Sequence, residues 1–397
     1  MATTPNFNWS TPDNTGLVKN GALDIRTLGN AIDASMVDLK GGTTGQVLAK
    51  ATNTDMDFTW TTASSGSSNV AGKNGVLNSN FSIWQRGTSI AGSAGSYLYT
   101  ADRWQTNAST ALTVSRQATG DTTNLPFIQY CARVQRNSGS TATAAAVLSQ
   151  SFESVNSIPY AGRTVTISFY ARRGANFSGA SNQLEVYLVS GTGTDQNAFV
   201  GGFTGATNVI FQTPTLTTTW QRFSYSATVG TTATQIATQF TYTPTGTAGA
   251  ADFYEVTGVQ VEIASSASAY SPNAATFQGE LAACQRYAIP LARNTAIDFG
   301  LVVSRYSTTN CTATISLPVE MRTLPTLTTS SGYGRIVFYD TSFNVTTSNT
   351  TTAALGDGNN YASVNINWTH GSIAGSYVFP TWDTISNGGL IMLSAEL

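Results

Sequence analysis

From residue 111 to residue 263 the chain repeats one pattern: short runs in which apolar and polar residues alternate, cut apart by stretches of Gly, Ser, Thr and Asn. The run from Thr164 to Ala171 is the clearest. Val165, Ile167 and Phe169 fall on one side and Thr164, Thr166 and Ser168 on the other, the period-two signature of a strand with one buried face. Similar runs occur at 111–116, 128–135, 146–152, 183–189, 220–228, 234–242 and 253–263. Nothing between them has the length and period of a helix, so the pattern predicts an antiparallel β-sandwich or jelly roll. The last run is expected to be half-buried, as the closing strand of that domain. The intervals 174–182 and 190–212 carry Phe177, Phe199, Phe203 and Phe211, which fit strand edges under a loop or contacts between copies of the chain.

Before this region the pattern changes. Phe7 and Trp9 are apolar anchors in an extended, Pro-punctuated start, and from Leu17 to Leu39 the period becomes helical. Val18, Ala22, Ile25, Gly29, Ile32, Met36 and Leu39 alternate spacings of four and three, an a/d seam over roughly three heptads. Two readings stay open: one amphipathic helix packed on its own domain, or self-association, since a short helix containing Gly is marginal alone. A hairpin is expected next, with strands at 46–50 and 56–60 around a turn at 53–55. Residues 63–72 form a Ser/Gly linker by composition.

After residue 263 comes Ser/Ala/Pro/Asn punctuation and then Glu280–Tyr287, a run of helix formers in which Leu281, Cys284 and Tyr287 share a face. Beyond it, strands are expected at 297–305, 311–319, 335–340, 362–368 and from 389 onward, with long loops at 344–360 and 369–383. Loops on a rigid sandwich are the usual seat of binding. Tyr361, Trp368, Tyr377 and Trp382, helped by Asn359, Asn360 and Asp383, are therefore candidates for stacking on sugar rings and bonding their hydroxyls. Trp368 sits in an alternating strand and fits a core position equally well.

Charge narrows the partners. Only 10% of the 397 residues are charged, and 19 basic against 21 acidic residues leave a net charge of -2. Neither nucleic acid nor insertion into a membrane is expected, for lack of a basic surface and of any long apolar run. Such a surface suits sugars or other protein copies. Cys131, Cys284 and Cys311 are too few and too scattered for a disulfide framework or a zinc site and are expected to be small buried hydrophobes. The first residues have neither a basic nor an apolar segment of the secretory type.

Catalysis finds little footing. His370 is the single histidine, no nucleophile elbow or phosphate loop occurs, and no metal or cofactor site is expected. Paired carboxylates remain the one route, with Asp252 and Glu255, or Glu262 and Glu280, as nominations. In 78–104, Trp84 and Arg86 would make a sugar platform and clamp on a functional reading. The structural alternative places Trp84 and Trp104 in the core and pairs Arg86 or Arg103 with Asp102.

Several motifs resemble those of bacteriophage tail-fibre and receptor-binding proteins. They are GGTTGQVLAK followed by DMDFTW, NSNFSIWQRG with TADRW, TGVQVEI joined to GELAACQRY, PVEMRTLPT, and the ending LSAEL. The resemblance implies a mainly β chain: an N-terminal helix-plus-hairpin attachment segment (1–62), the linker (63–72), a jelly-roll carbohydrate-module-like domain (73–272), a hinge (273–288) and a C-terminal β-sandwich (289–397). It implies a virion appendage made in the host cytoplasm and a homotrimer. Residues 1–62 would hold it to phage tail or other virion proteins, through Phe7, Trp9 and the Val18, Ala22, Ile25, Ile32, Met36 and Leu39 seam. The receptor would be a bacterial surface polysaccharide, bound without an enzymatic step. A head fibre or capsid decoration protein, and a glycan-degrading depolymerase, are the alternatives.

Overall fold

The alternating runs are strands, and their pairing accounts for which side chains are buried. The computed structural model describes the chain apart from residues 1, 13–14, 16, 63–71, 109–110, 126, 293–303, 306–309, 330–334, 340–344, 350–351, 356–361, 370–380 and 384–390. Contacts divide it into two units, Met1–Ser68 and Asn69–Leu397.

In the first unit, Ala2–Thr3 (β1) and Ser10–Thr11 (β2) form a short antiparallel ribbon. Helix Gly21–Met36 (α1) follows, with 3-10 turns Val18–Asn20 and Val37–Leu39 at its ends. Gln46–Lys50 (β3) and Phe58–Thr62 (β4) make the hairpin. No side chain of α1 is buried. The face bearing Leu28, Ala31 and Ser35 is partly covered, and the Trp9 indole donates to Ser35 Oγ at 3.1 Å. The heptad seam lies beside that face and is mostly open: Val18 is 96% and Ile25 66% exposed, whereas Ile32 and Leu39 are half-buried.

The second unit opens with a twelve-stranded sandwich. Its strands are Ser89–Gly92 (β5), Ser96–Tyr99 (β6), Gln105–Ala108 (β7), Leu112–Ala118 (β8), Tyr130–Arg136 (β9) and Ala146–Ser151 (β10), then Thr164–Arg173 (β11), Glu185–Gly191 (β12), Thr207–Gln212 (β13), Gln221–Thr228 (β14), Gln235–Tyr242 (β15) and Phe253–Glu262 (β16). A four-residue helix, Ser154–Ser157 (α2), lies between β10 and β11. One sheet has the order β13-β12-β15-β10-β7-β6 and the other β14-β11-β16-β9-β8-β5. All their pairings are antiparallel. Val165, Ile167, Phe169 and Ala171 of β11 meet Val186, Leu188, Ile236 and Phe240 of the opposite sheet in one buried core. Trp104 sits in that core, its ring 4.8 Å from Phe81 and 6.3 Å from Phe240. Each such large side chain stabilises the fold by about 1.5–3 kcal/mol relative to exposure.

One expectation needs correction here. The 253–263 run is not a half-buried closing strand: β16 is the third strand of its sheet, and both of its faces are buried. Its outward residues Thr257 and Gln260 are buried as well: Thr257 Oγ1 donates to Tyr130 O, and Gln260 donates to Ser268 Oγ and accepts from Ser271 N in the segment that follows. Gly258 accommodates the bulge that this requires, with φ +57°; a Cβ there would meet Ile128 Cδ1 at 2.7 Å. The 190–212 interval, in turn, contains a sixth strand of its sheet, β13, which places Phe211 on an edge.

Phe277–Gln285 (α3) begins with a Thr276 cap, whose side chain accepts from Gly279 N. Its Glu280 is buried and accepts from Asn78 N and Ala274 N, so this segment is anchored to the sandwich. Desolvation pushes the Glu280 carboxyl above its ordinary pKa. Cys284 and Cys131 are buried free thiols; the Cys311 side chain lies outside the described residues. The remaining strands are Ala288–Ala292 (β17), Ser304–Arg305 (β18), Asn310–Ser316 (β19), Thr326–Thr329 (β20), Arg335–Tyr339 (β21), Val345–Asn349 (β22), Thr352–Leu355 (β23), Ser363–Thr369 (β24), Thr381–Asp383 (β25) and Ile391–Ser394 (β26). They form sheets β17-β26-β20, β18-β19-β24-β23 and β22-β21-β25. The region 344–360 is therefore not one long loop: β22 and β23 run through it, the first built on Val and Thr residues that favour extended backbone.

Candidate functional site

Strand register on the six-stranded sheet of β13, β12, β15, β10, β7 and β6 produces a row of outward-facing residues that the sequence does not display as a unit. Val186 and Leu188 enter the core, so Tyr187 between them faces out; the same alternation turns Phe211, Gln239 and Ser149 outward. Tyr99 pairs with Gln105, Gln105 with Ser149, Ser149 with Gln239, Gln239 with Tyr187, and Tyr187 with Phe211. At about 4.8 Å per strand, this row is about 24 Å long. A parallel row runs Tyr97, Asn107, Val147, Thr241, Glu185.

The two ends differ. At the Tyr99 end, Asn197 Nδ2 donates to Tyr99 Oη (3.4 Å), Gln105 Oε1 (3.1 Å) and Leu397 O (3.0 Å), which roofs that part of the sheet. At the other end the rings of Tyr187 and Phe211 pack at 4.8 Å, and Phe211 is 49% exposed. Tyr187 Oη donates to Glu185 Oε2 at 2.8 Å, fixing the ring. Desolvation and this bond push the Tyr187 phenol up to about 12, so it stays a neutral donor at ordinary pH. Between the ends lies Thr241, whose Oγ1 is buried without a hydrogen-bond partner. The open part of the face thus combines an aromatic platform, a carboxylate and an amide. That is the equipment for holding the apolar face and the hydroxyls of a sugar ring.

The sequence-derived candidates are described only in part. Asn359, Asn360, Tyr361 and Tyr377 lie outside the described residues, as do the side chains of Trp368, Trp382 and Asp383. In backbone terms, Trp368 of β24 pairs with Cys311 and Ala353, whereas Trp382 and Asp383 of β25 pair with Ile336 and Arg335 in a different sheet. Of the residues expected to serve attachment, Phe7 stacks on Trp9 at 4.8 Å. Val18, Ala22, Ile25 and Met36 are exposed, while Ile32 and Leu39 are half-buried.

The motif residues at 84–104 are structural. Trp84 and Trp104 are core, their indoles donating to Phe81 O (2.7 Å) and Asn78 O (3.1 Å). Arg86 lies 3.4 Å from Asp102 and 3.0 Å from Glu396. Arg103 also pairs with Glu396 and stacks 3.6 Å over the Tyr287 ring. Burial raises the Asp102 carboxyl to about 6, against the lowering effect of Arg86. These groups fasten the end of the chain to the sandwich instead of making a sugar clamp.

The nominated acids are also engaged. Asp252 is paired with Arg136 at 2.8 Å and accepts from Ser178 and Tyr242. Glu255 sits between Arg133 and Arg172. Glu262 accepts from Ser268 and Gln260, and Glu280 from two backbone amides. Among the described residues no cluster of His, Cys, Asp and Glu is placed to hold a metal, and no helix is long and apolar enough to cross a membrane.

No protein-family model and no curated protein matches the chain. Solved structures similar to part of it include a family 4 carbohydrate-binding module, 22% identical over 33% of this chain and 70% of that one, with a TM-score of 0.24. A family 22 xylan-binding domain from Paenibacillus barcinonensis is 16% identical over 45% of this chain and all of its own, with a TM-score of 0.28. The enzymatically active domain of tailspike protein 4 of bacteriophage CBA120 is 12% identical, covering 48% of this chain and 22% of that one, with a TM-score of 0.29.

Proposed function

We propose that this chain is a phage appendage protein that adheres, without cleaving it, to a bacterial surface glycan, and that the open part of the β12–β13 face is a contact surface. The observation that carries this reading is the row ending in the Tyr187 and Phe211 rings, which pack at 4.8 Å with Phe211 49% exposed. Aromatic rings cover the C–H face of a pyranose, and carboxylate, amide and hydroxyl groups match its hydroxyls. A polymer lying along the row would meet several strands at once. The low charge of the chain fits a neutral ligand.

Assembly completes the proposal. The open heptad seam of α1 is the proposed contact between three copies, and residues 1–62 the proposed attachment to tail or other virion proteins. Three weak sites on one particle-bound fibre then act through effective concentration. The terminal-strand residues Trp368, Trp382 and Asp383, and their loop neighbours Asn359, Asn360, Tyr361 and Tyr377, belong to the same proposal as further contacts at the tip.

The test is binding of the full chain to host surface polysaccharide, compared with a Tyr187→Ala/Phe211→Ala double variant. Loss of both rings is expected to weaken binding at least about tenfold, or 1.4 kcal/mol, with an unchanged melting temperature. Unchanged binding refutes the face. Immunogold labelling of particles separates a tail position from capsid decoration, and release of reducing ends from the polysaccharide would replace adhesion by hydrolysis.

A further inference from the structure

The sheet of β13, β12, β15, β10, β7 and β6 is open along only part of its outer face. On β10 the outward residues Val147, Ser149 and Ser151 are all buried. On β15, Ala237 and Thr241 are buried on either side of Gln239, which is half-buried. Tyr187 and Val189 of β12 are half-buried in turn, and Phe211 of β13 is exposed. Exposure therefore rises strand by strand toward the β13 edge. The open stretch from Gln239 through Tyr187 to Phe211 crosses two strand spacings, about 10 Å. Along β12 the next outward position after Val189 is Gly191, which is buried; a Cβ there would meet Phe203 Cβ at 2.6 Å.

The cover over the far part is held by its own bonds. Asn197 spends its Nδ2 on Tyr99, Gln105 and Leu397, while its Oδ1 accepts from Phe199 N (2.9 Å) and Val200 N (3.1 Å). Ala198 N donates to Ser151 Oγ at 3.1 Å. Behind Leu397, Glu396 pairs with Arg86 and Arg103, and Arg322 donates to Ala395 O and Glu396 O, both at 2.9 Å. A sugar hydroxyl that displaced one of these partners would only exchange one hydrogen bond for another, with little net gain. The roof is thus a wall to a sugar chain and not a further subsite.

We propose that this roof is an end stop, so that the face takes the terminal units of a glycan chain entering from the β13 edge and not a stretch within the chain. The inference rests on the reading of the β12–β13 face as the glycan contact. A chain held within its length must pass off the row at both ends, and the buried outward residues of β10 close one of them.

The experiment is a titration of the full chain with polysaccharide purified from the host surface, intact and after mild acid cleavage that multiplies the chain ends at constant mass. Binding sites per gram are expected to rise by the same factor as the ends. The Tyr187→Ala/Phe211→Ala variant is expected to lose binding to both samples with an unchanged melting temperature. Sites per gram that stay constant on cleavage, while the double variant still loses binding, overturn the end stop and leave the face standing. No binding to either sample, or binding that the double variant retains, removes the face and the end stop with it.

Discussion

The sandwich and the α1 unit are opposite solutions to the same problem. In the sandwich, the two sheets share one main core, and Trp104, Phe169, Phe240 and Tyr254 are fully buried. In α1 no side chain is buried, and its apolar seam faces outward beside a face partly covered by the chain's own β1–β2 ribbon and Trp9. Helix propensity alone seldom stabilises sixteen residues with an internal glycine. The sandwich holds itself together, whereas α1 has its apolar surface still to place.

The largest effect belongs to the sandwich. Trp104→Ala removes a buried ring and its hydrogen bond to Asn78 O, and is expected to cost about 3–5 kcal/mol in denaturant unfolding. The corresponding truncation in the helix, Ile25→Ala, is expected to change sandwich stability by less than about 0.5 kcal/mol. Equal losses would erase the distinction between the two regions.

Next in size is the buried Asp102. Its carboxyl releases its proton near 3.8 when unfolded and near 6 when folded. Between these values folding takes up a proton, so this group's contribution to stability is present at low pH and falls as pH rises through 4 to 6. The loss is on the order of 3 kcal/mol above that window. Unfolding midpoints of the parent and Asp102→Asn across pH 4–7 check this: the difference between them should change in that window, because other carboxylates are common to both. A constant difference would mean that the group titrates normally.

The smallest effect sharpens the picture of α1. A Cβ on Gly29 would touch nothing within 4 Å, so no contact inside the chain requires a glycine there. Gly29→Ala should strengthen the helix by about 1 kcal/mol, seen as increased helical ellipticity and tighter association. Weaker association would mean that neighbouring helices approach closely over this glycine.

Much of this architecture is legible in the sequence, but its site is less so. Alternation of large apolar residues marks β8–β12 and β14–β16, because burial on one face leaves a period-two trace. The strands β5, β6, β7 and β13 are short or rich in Gly, Ser, Thr and Asn, and leave almost none. Phe211 stands out as an aromatic residue in a long interval, and Tyr187 as one position of a strand. Their contact, with Gln239 beside them, depends on cross-strand register, which no local spacing reports. Likewise Arg86 and Asp102 are visible as a charged pair among aromatic residues, but Glu396, which holds both Arg86 and Arg103, lies about 300 residues away and is found only by folding.

The most direct test of the contrast is the solution mass of the full chain beside that of Ile25→Asp, which puts a charge in the open seam. The account predicts three chains for the parent and one for the variant, with the sandwich melting unchanged in both. A parent that is already a single chain, or a variant that stays assembled, would contradict it.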